Sequence, residues 1–176
     1  MHKTGHPIHR TASRAGCCLA VVLAVGLAGC STAPTSRTEA PDQAAVDIQS
    51  RLSLDAANDV TLYAISLVGT PYRWGGNTPA SGFDCSGLIG YVYKTRAGIY
   101  APRTTSALVD WGQPVPPGSL RSGDLVVFAQ KGTVNHAGIY VGEGRFVHAP
   151  SSGGEVRLDS LSSIYWSRQP VSYRRP

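Results

Sequence analysis

No stretch of this sequence is long and apolar enough to span a bilayer. The longest apolar run, Ala15 to Ala28, has 14 residues, and a spanning helix needs about 20. No cluster of Lys and Arg and no nucleic-acid module is present, so nucleic acid is not an expected partner. No CxxC or HExxH spacing offers a metal site. The glycines of Trp74-Gly75-Gly76 are not followed by Lys-Ser/Thr, so they do not form a phosphate cradle. No internal repeat is present and no cofactor is expected. The 176 residues, 42% hydrophobic and 15% charged, suit one modest domain.

Lys3, Arg10 and Arg14 precede the apolar run with no acidic residue among them, the pattern of a secretory signal. The run ends at Leu27-Ala28-Gly29-Cys30, which resembles the lipobox of bacterial lipoproteins. That resemblance implies cleavage before Cys30, lipid on its sulfur and amine, and a membrane anchor. Ser31 after the cysteine favours sorting to the outer membrane, facing the periplasm. Residues 1–29 are thus expected to be a signal peptide. Residues 30–52, with little apolar content, are read as a flexible tether, and 53–176 as the folded domain.

Removing the signal changes two tallies. Net charge falls from +5 to +2, so the pI of 9.2 overstates the basicity of the domain. Cys17, Cys18, His2, His6 and His9 leave with the signal, and Cys30 is taken by lipid. Cys85, His136 and His148 remain. A lone thiol cannot close an internal disulfide. It is either inert and buried or a nucleophile.

Apolar positions Val60, Tyr63, Ala64, Leu67 and Val68 share one helical face and predict a helix from Asp55 to Val68, ended by Gly69 and Pro71. A second helix is expected from Cys85 to about Thr95, capped by Asp84 and closed by Gly98. A third runs from Thr105 to Trp111. Beyond residue 120 the pattern turns to strands: Leu125–Ala129, Ala137–Val141, Arg145–Ala149, Glu155–Leu158 and Val171–Arg174. Helices first and strands after predict an α+β fold, with helices packed on an antiparallel sheet of about five strands.

Cys85 opens the second helix, near the positive end of its dipole, which favours the thiolate. His136 stands at the head of one strand and His148 lies on the next. A thiol and two histidines fit nucleophile, base and orienter. They also fit a three-ligand zinc set, but no carboxylate is placed to serve as its base. Strand parity constrains the first reading. A two-residue hairpin loop, Glu143-Gly144, would put His148 opposite Ile139 and on the other face from His136. A three-residue loop from Gly142 to Gly144, or an equivalent bulge, would put it opposite Gly138, on the same face. The second arrangement is expected, with Gly138 leaving room between the rings.

Six segments carry a family resemblance: Gly69-Thr70-Pro71-Tyr72-Arg73-Trp74-Gly75-Gly76, Phe83-Asp84-Cys85-Ser86-Gly87-Leu88, Pro102-Arg103-Thr104-Thr105, Gly123-Asp124-Leu125-Val126-Val127-Phe128, His136-Ala137-Gly138-Ile139-Tyr140 and Phe146-Val147-His148-Ala149-Pro150. From Ala57 onward the chain resembles the NlpC-type cell-wall cysteine peptidases, a papain-like family, and within it the lipoprotein subgroup similar to murein DD-endopeptidases. The resemblance implies Cys85 as nucleophile, His136 as general base, His148 as orienting third residue and Tyr72 as a hydroxyl near the oxyanion. A thiolate–imidazolium pair is then expected at rest. The substrate implied is a peptidoglycan stem peptide. The D-Ala–diaminopimelate cross-link is favoured over the D-glutamyl–diaminopimelate bond, and a monomer is expected. Ala101, Leu108 and Ala137 depart from the usual pattern without touching the triad. The rival readings are a wall-binding lipoprotein without activity and a papain-like amidase or acyltransferase.

Overall fold

The computed structural model describes residues 50–151 and 154–176. The expected signal, the lipid site Cys30 and the tether up to residue 49 lie outside the described residues. Ser50 and Leu52, inside the stretch read as tether, are packed against the domain. Ser50 Oγ donates to the carbonyl of Pro176 (2.7 Å), and Leu52 is buried in the core.

Three helices form. Helix α1, Leu54–Ser66, is capped by Ser53, whose side chain accepts from the N–H of Ala56. Ala57, Val60, Thr61 and Ala64 turn inward, and Val68 lies beyond the end and half exposed. Helix α2, Cys85–Ala97, is capped by Asp84 and closed by Gly98 in the left-handed region (φ 66°), as those residue types favour. It runs two residues past the expected end. Helix α3 is shorter than expected. It covers Thr105–Leu108, and the chain to Trp111 continues as a turn.

The main sheet has six antiparallel strands in the order β3-β8-β4-β5-β6-β7. They are β3 (Gln113–Pro114), β4 (Leu125–Gln130), β5 (Thr133–Gly142), β6 (Arg145–His148), β7 (Arg157–Ser160) and β8 (Val171–Arg175). A separate pair, β1 (Asn77–Thr78) and β2 (Gly82–Phe83), forms beside α2. Helices on an antiparallel sheet bear out the α+β expectation, with one strand more than anticipated. The addition is β3, a Gln-Pro dipeptide with no strand pattern, held only by its partner β8. Strand β7 begins two residues later than expected. Val156 instead bonds with Gly69 and Thr70 on the far side of the cleft.

The two faces of the sheet differ. One packs Leu125, Val127, Ala137, Ile139 and Val147 against Val60, Ala64, Leu88, Ile89 and Val92 of the helices. Each fully buried side chain of this kind contributes about 1.5–3 kcal/mol. The other carries Val126, Phe128, Phe146 and Trp166.

Candidate active site

Helix α2 starts at Cys85 because Asp84 terminates it. The Asp84 carboxylate accepts from the N–H of Gly87 (2.7 Å) and of Gly75 (2.9 Å). Arg103 grips the same carboxylate with both terminal nitrogens, at 2.7 and 2.9 Å. One residue thus ties the helix start to the loop that carries Tyr72 and Trp74 and to the segment after α2. Gly87 is required here, since a Cβ would collide with the carbonyl of Gly76. Burial alone would raise the Asp84 pKa, but Arg103 and the two N–H donors outweigh it and hold the carboxyl below its ordinary range. Cys85, a free thiol, faces a cleft of about 530 Å³ together with Tyr72, Trp74, Arg103, Asn135, His136 and Ala149.

The two histidines come from the β5–β6 hairpin. Its loop is the two-residue Glu143-Gly144, both with positive φ (52° and 69°), and Gly142 pairs with Arg145. The three-residue loop is therefore not what forms. The equivalent bulge is. Val141 is left unpaired, so Tyr140 faces Phe146 and Ile139 faces Val147. The shift sets His148 beside Gly138 and on the face of His136. A Cβ at Gly138 would lie 2.8 Å from the Phe146 ring and 3.1 Å from the Cβ of His148. His136 Nε2 lies 2.8 Å from His148 Nδ1. His136 is the fourth residue of β5, not its head, and Phe128 stands directly opposite it.

The hydrogen-bond chain continues to a residue that the sequence reading passed over. His148 Nε2 lies 3.0 Å from Asp159 Oδ2. The indole N–H of Trp166 (2.8 Å) and Nε of Arg157 (3.1 Å) donate to the same oxygen. A carboxylate only accepts, so His148 donates from Nε2 and its Nδ1 is bare. His136 then donates from Nε2, and its Nδ1 keeps a lone pair. Trp166 stacks on the His136 ring (centroids 5.4 Å apart, planes at 23°). A zinc set would need the thiol and both rings on one point. Here His136 Nε2 and both nitrogens of His148 are already engaged.

Burial pushes the Cys85 thiol up and the charge of Asp84 adds to it. The N–H groups of Ser86, Ala137 and Cys85 itself pull down but do not prevail. Burial first, then His148 and Arg157, press His136 down to about 3, against the pull of Asp159. Burial likewise lowers His148 to about 4. Burial thus works against both members of the thiolate–imidazolium pair expected from the sequence. The helix start does favour the anion, but desolvation is larger. Tyr72 is raised by burial and by Cys85 and Asp84, so its hydroxyl stays a donor.

The structure brings Cys85, His136 and Tyr72 to one cleft and backs His136 with His148. A family model for the NlpC/P60 family matches residues 69–175. The chain belongs to the NlpC/P60 family. It is 45% identical over 112 residues to murein DD-endopeptidase MepH of Escherichia coli (strain K12), covering 61% of this chain and 41% of that protein. It is 40% identical over 130 residues to gamma-DL-glutamyl hydrolase of Bacillus subtilis (strain 168), covering 71% and 31%. This chain therefore spans less than half the length of either relative. Murein DD-endopeptidase MepS/murein LD-carboxypeptidase of Escherichia coli (strain K12) is 33% identical over 170 residues, 89% of both chains. An NlpC/P60 family protein from Bacillus cereus ATCC 10987 superposes with a TM-score of 0.62 at 33% identity, over 68% of this chain and 39% of that one.

Proposed function

We propose that this NlpC/P60 chain is a cysteine peptidase that hydrolyses peptide bonds in peptidoglycan stems, the D-Ala–diaminopimelate cross-link before the D-glutamyl–diaminopimelate bond. The observation that carries the reading is the hydrogen-bonded line from Asp159 through His148 to His136, which leaves a bare imidazole nitrogen at the cleft of Cys85. The relatives named for murein hydrolysis support the substrate class.

In the proposed reaction, Nδ1 of His136 takes the thiol proton and Cys85 sulfur attacks the scissile carbonyl. The oxyanion meets the N–H of Cys85 and the Tyr72 hydroxyl. Each such donor contributes about 3 kcal/mol. His136 returns the proton to the leaving nitrogen, whose bond to the carbonyl carbon breaks. Water, deprotonated by the same ring, then releases the thioester. His148 orients His136 and Asp159 orients His148. Lipid on Cys30, with residues 31–49 as a tether, would hold the domain at the outer membrane within reach of the wall in the periplasm.

Digestion of purified peptidoglycan by the chain from residue 31, beside Cys85→Ala, tests the reading. Cross-linked dimers falling to monomers only with Cys85 present supports cross-link cleavage. Shortened stems mean D-glutamyl cleavage. Identical muropeptide profiles from both proteins on several wall types would replace the enzyme with a wall-binding lipoprotein. Release of a non-stem amide would point to an amidase.

A further inference from the structure

His136 stands between two hollows. The larger holds Cys85, Tyr72 and Arg103. The smaller, about 330 Å³, holds Arg157, Trp166, Tyr165 and Gln169. Asn135, His136 and Ser151 border both, so the hollows adjoin at the imidazole.

Proton chemistry gives this groove a direction, on the reading proposed above. The acyl half of the substrate ends on the sulfur, and the departing nitrogen takes its proton from His136. The acyl half therefore occupies the Cys85 side, and the residue that departs extends past the ring toward the second hollow.

That hollow is built around one cation. Arg157 stands directly opposite His148 in the β6–β7 register and on the same face as Asp159. Its Nε and Nη2 each lie 3.1 Å from Asp159 Oδ2, which fixes the guanidinium. The side chain nevertheless keeps 41% of its exposure. Tyr165, 57% exposed, offers an apolar wall beside it.

We infer that the second hollow receives the departing amino acid and that Arg157 takes a carboxylate carried on the same carbon as the departing nitrogen. A held guanidinium fork suits a carboxylate by charge-assisted hydrogen bonds. The two candidate bonds differ at this point. In the D-Ala–diaminopimelate cross-link, the carbon bearing the departing nitrogen carries a free carboxylate. In the D-glutamyl–diaminopimelate bond, the carboxyl on that carbon is already joined to the next residue. Arg157 therefore selects the cross-link. Its positive charge also opposes a proton on His136, and an arriving carboxylate offsets that opposition when the imidazolium must form.

The test uses two synthetic cross-linked dimers, alike except that the carboxyl beside the departing nitrogen is free or a carboxamide. The wild-type kcat/KM is expected to be at least about tenfold higher on the free acid, chiefly through KM. Arg157→Gln brings the ratio near one, and Arg157→Lys keeps part of it. If Arg157 only braces Asp159, activity on both substrates falls together and the ratio stays at the wild-type value. That result, or a wild-type ratio near one, overturns the inference. If neither dimer is cleaved while Cys85-dependent hydrolysis of whole wall persists, the inference falls and the peptidase reading stands. If no Cys85-dependent cleavage occurs on any substrate, the peptidase reading itself fails.

Discussion

The two faces of the six-stranded sheet are built from different materials. The helix-covered face of the sheet presents aliphatic side chains, Leu125, Val127 and Ile139, to Leu88, Ile89 and Val92, with Phe83 and Tyr93 buried in the same cluster. The opposite face is aromatic and ionisable. Phe128, Phe146 and Trp166 pack around His136 and His148, and Asp159 and Arg157 join them from β7. Apolar burial on the first face is non-directional and tolerant of the details. Groups on the second work only at fixed distances and in one tautomer. The fold separates what holds it together from what must be aligned, and the start of α2 carries the thiol to the place where the two meet.

Substitutions should respect that separation. Cys85→Ala and His136→Ala are expected to lower wall hydrolysis by about 10³-fold or more, with thermal midpoints close to wild type. His148→Ala should lose less than His136→Ala, because it acts through its neighbour, and equal losses would make the two rings partners of equal rank. Leu88→Ala on the aliphatic face should cost about 2–5 kcal/mol of stability while turnover per folded molecule holds. A turnover collapse in a stable Leu88→Ala protein would dissolve the distinction between the faces.

Acid should act on the aromatic face. Unfolded histidines titrate near 6.5, but His136 and His148 are held at about 3 and about 4. Between those values the unfolded chain binds more protons, so stability rises with pH and is lost as pH falls through about 6.5. From pH 7.5 to 5.0 the loss is on the order of 2 kcal/mol for the fully buried His148 alone. Asp84 and Asp159 are held below their ordinary range and add losses only in stronger acid. Urea unfolding at both pH values should show a shallower dependence in His148→Gln, and a slope identical to wild type would assign the titration elsewhere. The smallest effect expected is in Asp159→Asn, with kcat down about tenfold because the charge supporting His148 is lost while the bonding geometry is kept, and with any rise in KM coming through Arg157, which the same carboxylate holds. A change confined to KM would make the holding of Arg157, and not the support of His148, the role of Asp159.

Local signals were the legible ones. Asp84, Cys85 and Gly98 delimit α2 because caps are set by adjacent residues. The shared face of the two histidines followed from the period of two in strands, with the bulge supplying the needed shift. Asp159 was missed because β7 was placed too early. Its partners Phe146 and His148 come from β6, and its residues Arg157-Leu158-Asp159-Ser160 hold one large apolar side chain. The grip of Arg103 on Asp84 spans 19 residues, and no local pattern announces it. The direction of the Cys85 shift depends on burial, which composition and spacing do not reveal.

The unpaired Val141 works like a single inserted letter in a reading frame. Exchanging its side chain leaves the frame intact, so apolar replacements that keep its packing against the core should be accepted. Closing the bulge at constant length, with Val141 opposite Phe146, would translate β6 by one step and turn His148 to the wrong side of the sheet. Deleting Val141 would instead leave Gly142 opposite Arg145 and Tyr140 opposite Phe146 and keep His148 on its face. The hairpin should therefore tolerate the loss of its extra residue but not the closing of the bulge around it, and wall hydrolysis by a chain lacking Val141 would read that directly.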